Sequence, residues 1–488
     1  MTAPTNGPRT YARATWLFLR LLGLVYLAAF WSAGSQILGL VGHNGILPAD
    51  QYMQALAAIR GLNRFWIFPT LTWISASDAM LRFLCVGGVV LSALLVAGIL
   101  STPALILLWL FYLSLSVVGQ EFLSFQWDTL LLETGFLAIF LAPLTFRERH
   151  RQLIAPPRIV VWLFLWLLFR LMVGSGVVKL ASGDPTWHNL TALSYHFETQ
   201  PIPTPLAWYA HRSPMWFLKL STALVFAIEI GAPYLILATR RLRVLAFVLL
   251  TGLQFLIALT GNYAFFNVLS MALCVFLLDD TTLGSWTRLG ISTRPVTQLR
   301  RITSIIVAMV IIPLSATAFA ASLGIALPIA PIVNPVMDVI ASFRSVNAYG
   351  LFAVMTTSRP EIVLEGSDDG TTWVEYEFKY KAGDLHRRPP WVAPHQPRVD
   401  WQMWFAALGR FERERWLQNL CERILENDTD VLSLLERNPF ERRAPQYLRA
   451  VLYQYRFSDA ATRRRDGVWW TRERIADYSP VLSLSQVK

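Results

Sequence analysis

The 488-residue sequence predicts a polytopic, all-α membrane bundle of about nine transmembrane helices, followed by a soluble exoplasmic α+β or β-sandwich-like domain. Three observations carry that expectation. Hydrophobic residues make up 54% of the chain and charged residues only 15%, against about 25% charged in a soluble globular protein. Long apolar runs fill residues 1–327, whereas 328–488 alternates short strand patterns with a charged helical pattern. The charge is also uneven: residues 1–325 hold 21 Lys/Arg against 11 Asp/Glu, and residues 326–488 hold 22 against 21. The net charge of +11 thus belongs to the hydrophobic part and its short loops, which reads as a topology signal and not as a nucleic-acid surface.

A bilayer core needs about 20 apolar residues per helix. Runs of that kind occupy residues 16–41, 79–100, 103–118, 125–143, 159–180, 215–238, 242–260, 263–278 and 302–327. The third, fourth and eighth are short, so eight spans or a re-entrant segment are the alternatives. The first run is too long for a signal-peptide core and is read as an anchor.

Orientation follows from the arginines. A cytoplasmic N-terminus puts Arg9, Arg13, Arg147, Arg149, Arg151, Arg158, Arg240, Arg241, Arg243, Arg288, Arg294, Arg300 and Arg301 on the cytoplasmic side. Only Arg60, Arg64 and Arg212 fall on the other. Nine spans then leave the C-terminal domain in the exoplasmic compartment.

In that domain, residues 361–366 and 371–381 flank Ser367-Asp368-Asp369-Gly370 and read as a hairpin. Residues 401–425 read as an amphipathic helix, with 428–435 continuing it. Residues 447–457 and 467–474 read as strands around the basic turn Arg463-Arg464-Arg465, and the Pro-rich stretch 328–335 as the linker. Cys85, Cys274 and Cys421 lie far apart without a CxxC pair, which argues against a disulfide scaffold and a cysteine zinc site.

An ionisable side chain at membrane depth costs about 3 kcal/mol or more unless it is paired or hydrated. Asp128, Glu133, Arg170, Lys179 and Glu229 all fall inside predicted spans. Asp128, Glu133 and Arg170 are read either as ion pairs between packed helices or as the lining of a polar cavity open to the exoplasmic face, on the side where Lys179 ends its span. A second loop on that side carries His188, His196, Glu198 and His211, with Gln200-Pro201-Ile202-Pro203-Thr204-Pro205 stiffening it. These histidines lack a recognisable ligand spacing, so no metal site is assigned. No G-x-S-x-G, Walker loop or Rossmann fingerprint occurs, and no cofactor is expected.

Several stretches are nonetheless distinctive. They include Phe125-Gln126-Trp127-Asp128 through Glu133-Thr134-Gly135-Phe136, Tyr195-His196-Phe197-Glu198-Thr199-Gln200-Pro201-Ile202-Pro203, Gly261-Asn262-Tyr263 and Asp279-Asp280-Thr281-Thr282-Leu283. Further along come Val346-Asn347-Ala348-Tyr349-Gly350-Leu351-Phe352, Trp373-Val374-Glu375-Tyr376, Pro397-Arg398-Val399-Asp400-Trp401-Gln402-Met403-Trp404, Asn438-Pro439-Phe440 and Gly467-Val468-Trp469-Trp470. In order and along nearly the whole chain, they resemble the lipase maturation factor family, and the Arg-rich, compact sequence suggests a bacterial member. The resemblance implies a multi-pass protein of the bacterial cell membrane or the ER membrane. It further implies a chaperone-like, non-catalytic role in maturing secreted clients such as lipases, with the C-terminal domain engaging the client. Trp391, Trp401, Trp404, Trp469 and Trp470 are the candidate client-binding aromatics; the competing reading places them in the domain's own core.

A narrower resemblance joins Gly174-Ser175-Gly176-Val177-Val178-Lys179-Leu180 and Trp187 to the membrane domain of vitamin K-dependent γ-carboxylases. It implies, as the alternative function, a membrane enzyme acting on a lipid, quinone or protein. Lys179 would be the base, with Asp128, Glu133, His188 and His196 as orienting or acid groups. If Lys179 is instead structural, Asp128 or Asp184 is its expected partner.

Overall fold

The computed structural model describes residues 9–59, 61, 63–148, 152–284, 290–292, 295–440 and 443–487. Arg60, Arg149, Arg151, Arg288 and Arg294 of the orientation argument lie outside these residues. Among the described residues, seven helices are long and apolar enough to cross a membrane: α1 (Ala12–Gly34), α2 (Asp78–Ala97), α3 (Ser101–Val118), α5 (Arg158–Ala181), α6 (Met215–Leu237), α7 (Arg240–Thr260) and α9 (Gln298–Ser322). Two shorter helices, α4 (Gln126–Leu141) and α8 (Phe266–Leu277), pack among them and account for the remaining apolar runs.

The chain runs back and forth between two ends. At one end, Arg9 donates to the Ala238 carbonyl (3.1 Å), the Ala12 amide to Asp280 (2.8 Å) and Arg158 to the Arg9 carbonyl (3.0 Å). Arg20 and Arg240 pair there with Glu148 (2.7 Å) and Asp279 (2.8 Å). At the other end, the loops after α1, α3, α5 and α7 meet residues 345–487.

α6 is not a uniform helix. Its α-helical half, Met215–Phe226, passes into a π segment, Ala227–Gly231, and then a 3₁₀ segment, Ala232–Leu237. Pro233, which lacks an amide hydrogen, sits at the start of the 3₁₀ turn and prevents an α-helical continuation.

The segment expected to be a linker is largely helical: α10 (Ala330–Ile340) begins inside it. Pro331 lies in its first turn, where an amide is unpaired anyway, while Pro335 sits inside the helix. α10 turns back onto α9 and leaves Ile332, Val336 and Val339 exposed.

The C-terminal part is α+β. β1 (Pro360–Ser367) pairs antiparallel with β2 (Val374–Glu375) and with β5 (Tyr447–Phe457), and β5 with β6 (Trp470–Asp477), giving the order β2-β1-β5-β6. The predicted hairpin forms, with Glu365 opposite Glu375, but its second strand ends after two residues. β3 (Glu377–Phe378) then pairs with β4 (Leu435–Arg437). Strands of two and three residues cannot close a sandwich, so that half of the expectation is corrected. The helix expected over 401–425 is two: α11 (Arg398–Ala406) and α12 (Arg415–Leu425). Gly409, a poor helix former, lies in the break. Residues 428–435 do not continue as one helix either, since Thr429–Leu432 is a single turn and Leu435 begins β4. The basic turn is a short helix, Ala460–Asp466, capped by Asp459, which accepts from the Ala461 and Thr462 amides, and ended by Gly467 at φ 72°.

One contiguous hydrophobic core runs through both parts, from Phe18 and Phe164 in the bundle to Trp401, Leu420 and Leu364 in the C-terminal part.

Candidate functional site

The distinctive stretches converge on the seam between the helical bundle and the C-terminal part. Asp128 is three residues into α4, where its Oδ2 accepts from the Phe125 amide and caps the helix. Arg398, at the first position of α11, reaches it with both guanidinium nitrogens: Nη1 to Oδ2 at 2.8 Å and Nη2 to Oδ1 at 2.9 Å. Nη1 also donates to the Phe122 carbonyl and the Tyr112 hydroxyl donates to Oδ1 at 2.5 Å. Both charged side chains are fully buried, and Asp128 together with Tyr112 holds the Arg398 guanidinium firmly in its charged form. Two-pronged pairing with every strong acceptor occupied is the condition under which a buried ion pair is tolerated.

A second network lies one to two turns deeper in α4. Glu133 is paired with Arg170 of α5, and its Oε2 accepts from the Asn347 amide (3.0 Å), Asn347 Nδ2 (3.1 Å) and the Tyr349 hydroxyl (2.7 Å). Arg170 donates in turn to the Asn347 carbonyl at 3.0 Å. The irregular segment around Asn347 therefore threads into the bundle and completes the coordination of two buried charges. Gly174 permits the approach, because a Cβ there would lie 2.8 Å from the Tyr349 carbonyl oxygen.

Further contacts stitch the remaining loops. Asn262 uses its whole amide, accepting from the Val392 and Ala393 amides and donating to the Ile202 and Pro390 carbonyls. Arg359 donates to the carbonyls of Glu198, Gln200 and Pro201 and is paired with Glu361, which also faces Lys381. Trp404 donates to the Thr199 carbonyl at 2.8 Å, and Trp187 to the Phe352 carbonyl at 3.0 Å.

The tryptophans expected to offer an aromatic surface divide unequally. Trp401, Trp404, Trp469 and Trp470 are buried, and only Trp391, at 50% exposure, faces outward. Trp401 packs edge-on against Trp127 and Tyr263 at the seam, and Trp470 stacks on Phe457 under Arg359. An exposed patch made of all five is therefore corrected to a single exposed tryptophan, because the other four fill the core and the seam. Phe405 and Leu408, on or just beyond α11, are exposed large apolar residues that the sequence reading did not single out.

Lys179 is paired with Glu229, not with Asp128 or Asp184. Its Nζ donates to Oε1 at 2.9 Å and Oε2 at 2.6 Å. The π segment carries Glu229, and Gly176 of α5 lets that segment approach: a Cβ on Gly176 would meet Ile230 at 2.6 Å and Glu229 at 3.1 Å. Asp184 instead caps the turn that follows it and accepts from the Met355 amide at 2.6 Å.

A cavity of about 440 Å³ borders Lys179, Glu229, His196 and Tyr263. Asp128 and Glu133 do not line it; both are sealed in their own networks. The Tyr263 hydroxyl donates to Gln200 Oε1 at 2.8 Å and so accepts from His196 Nε2 at 3.0 Å, which places the imidazole proton on Nε2. Burial and the nearby Lys179 ammonium push the His196 pKa down to about 4, so the ring is neutral at physiological pH. His188 is exposed and donates to the Leu180 carbonyl, away from the cavity, and His211 lies 3.9 Å from Glu198. Among the described residues, no three His, Cys, Asp or Glu side chains gather as a metal site would require.

Two family models match the chain: a lipase maturation factor transmembrane domain over residues 13–285 and a lipase maturation factor C-terminal domain over residues 345–480. The chain is 37% identical to lipase maturation factor 2 of Gallus gallus, over 99% of its own length and 82% of the relative's. It is 36% identical to lipase maturation factor 2 of Homo sapiens (96% and 82%) and 36% identical to lipase maturation factor 1 of Bos taurus (98% and 91%). No solved structure matches it. These relatives lend no support to the carboxylase resemblance or to a bacterial origin. Two family models, with relatives that match 96–99% of the chain, show that the chain belongs to the lipase maturation factor family.

Proposed function

We propose that this protein is a multi-pass membrane factor that brings secreted lipases to their active form, acting as a chaperone from the ER membrane. The observation that carries the reading is the end-to-end similarity to proteins named lipase maturation factors, across both the helical and the C-terminal domain. The chain crosses the bilayer nine times, with α4 and α8 as short crossings surrounded by protein. The N-terminus is cytoplasmic and residues 345–487 lie on the exoplasmic side. The gathering of Arg9, Arg13, Arg158 and Arg240 at the end opposite the C-terminal part supports that orientation.

The C-terminal domain meets the client, and Trp391 is its aromatic anchor, with Phe405 and Leu408 as further apolar contacts. Trp401 and Trp404 pack against Phe405 from within.

The reading is tested in cells that secrete a lipase and lack this protein. Lipase polypeptide made in them is expected to be largely inactive and retained, and expression of the intact chain to restore secreted activity. Unchanged activity per secreted lipase molecule after deletion would overturn the proposal.

A further inference from the structure

We propose that the cavity beside the Lys179–Glu229 pair is a binding site for one acyl chain of a bilayer phospholipid, entered sideways between α6 and α7. The assignment is independent of any lipase client.

The cavity volume, about 440 Å³, lies within the range of sites that enclose a small ligand. Its walls are mainly Leu, Ile and Phe, with Met172, Leu253, Ile257 and Phe266 at its back. Most polar groups at its edge pair with one another, His196 Nδ1 being left without a partner. Lys179 is neutralised by Glu229, Asn267 donates to Gln254 at 2.9 Å, and His196 and Tyr263 are joined. Nothing in the lining calls for a charged ligand. Water would find few partners over most of the wall, and an empty void of this size forfeits packing on every side.

The shape of α6 explains how a chain enters. Its π and 3₁₀ segments pack against α7, whereas its α-helical half leans on the short helix Ala192–Thr199. The helix Pro205–His211 roofs the gap left between α6 and α7. The lining residues Phe217, Leu224 and Leu256 are 46%, 51% and 60% exposed, so the cavity continues onto the outward faces of two membrane-crossing helices. At that depth the surrounding medium is lipid hydrocarbon, which fixes the occupant as an acyl chain of the leaflet nearer the C-terminal domain.

The test reconstitutes the full chain in phosphatidylcholine vesicles containing a phosphatidylcholine with a diazirine near the end of one acyl chain. After illumination, the label is expected to concentrate on lining peptides of α6 and α7 and on back-wall residues such as Phe266, which bulk lipid does not reach. The double variant Ser221→Trp/Leu224→Trp fills the mouth and is expected to lose most of that back-wall label. Leu245→Trp, on an exposed face of α7 outside the cavity, is expected to keep it. Label spread evenly over all lipid-facing helices of the unsubstituted protein would overturn the proposal, and that outcome can be read even if the double variant fails to fold. Back-wall label undiminished in a folded double variant, judged by an unchanged thermal midpoint, would overturn it equally.

Discussion

Arg398 and Asp128 are both shut away from solvent, so removing either one strands a charge in the protein interior. Arg398→Ala is expected to cost about 3–5 kcal/mol and Asp128→Ala a similar amount, measured as a fall in the thermal midpoint of the purified protein. The pair Asp128→Leu/Arg398→Met should lose less than either single change, since no orphaned charge remains. Lys179 behaves differently from a catalytic base if its role is to balance Glu229: Lys179→Arg keeps lipase maturation, while Lys179→Ala lowers stability and maturation together. Loss of maturation in Lys179→Arg with stability intact would speak for chemistry at this residue. The intramembrane charges were visible in the sequence because they interrupt apolar runs. The partner of Asp128 was not, since Arg398 lies 270 residues beyond it and one arginine in a soluble domain carries no mark of its destination, and Lys179 pairs with Glu229 in place of the expected Asp128 or Asp184.

The π segment of α6 turns Glu229 onto Lys179 by accommodating one extra residue within the helix. Deleting Ala227 should restore α-helical spacing, rotate Glu229 by about 100° away from α5 and destabilise the protein as much as Glu229→Ala does. Among the aromatic elements, Trp401→Ala should cost about 3–5 kcal/mol as a buried ring is lost, with client capture falling only as the fold does. Trp391→Ala should leave the thermal midpoint unchanged and weaken lipase capture in a crosslinking pull-down. Apolar runs revealed the long helices well, because seven of them meet the bilayer's length requirement unaided. Elements whose form is set by distant packing were harder to read. α11 is buried on nearly all sides, and even its polar residues Arg398, Asp400 and Gln402 are buried, so its sequence has no solvent-facing pattern to mark where it stops. The Pro-rich segment before it looks like a linker until α9 is there to support a helix.

The whole molecule depends on its seam, and the seam has a pH signature. His196 and His395 are both held neutral, with pKa values pushed down to about 4 by burial and nearby positive charge: Lys179 for the first, Arg398 and Lys379 for the second. Unfolded histidine takes up its proton near pH 6.5, before the folded form does. Stability is therefore full above about pH 6.5 and declines as the pH falls toward 4, at up to about 1.4 kcal/mol per pH unit for His196. A thermal midpoint lower at pH 5 than at pH 7, with the difference reduced in His196→Gln, would bear this out. Topology is checked by epitopes at the two termini in sealed ER vesicles: the C-terminal tag should resist protease until detergent is added, while the N-terminal tag is cut at once. The two-part organisation was legible from composition, but its closure into a single core was not, because complementary surfaces leave no shared pattern in either half.

The Asp128–Arg398 clasp also imposes an order on synthesis. Asp128 is made 270 residues before the arginine that pairs with it. Through that interval the nascent protein holds an acid without its partner, so a premature stop codon between Asp128 and Arg398 does more than remove the distal module. It leaves the already inserted helices permanently unfinished, and such fragments should be cleared by membrane quality control instead of persisting as a stable half-protein.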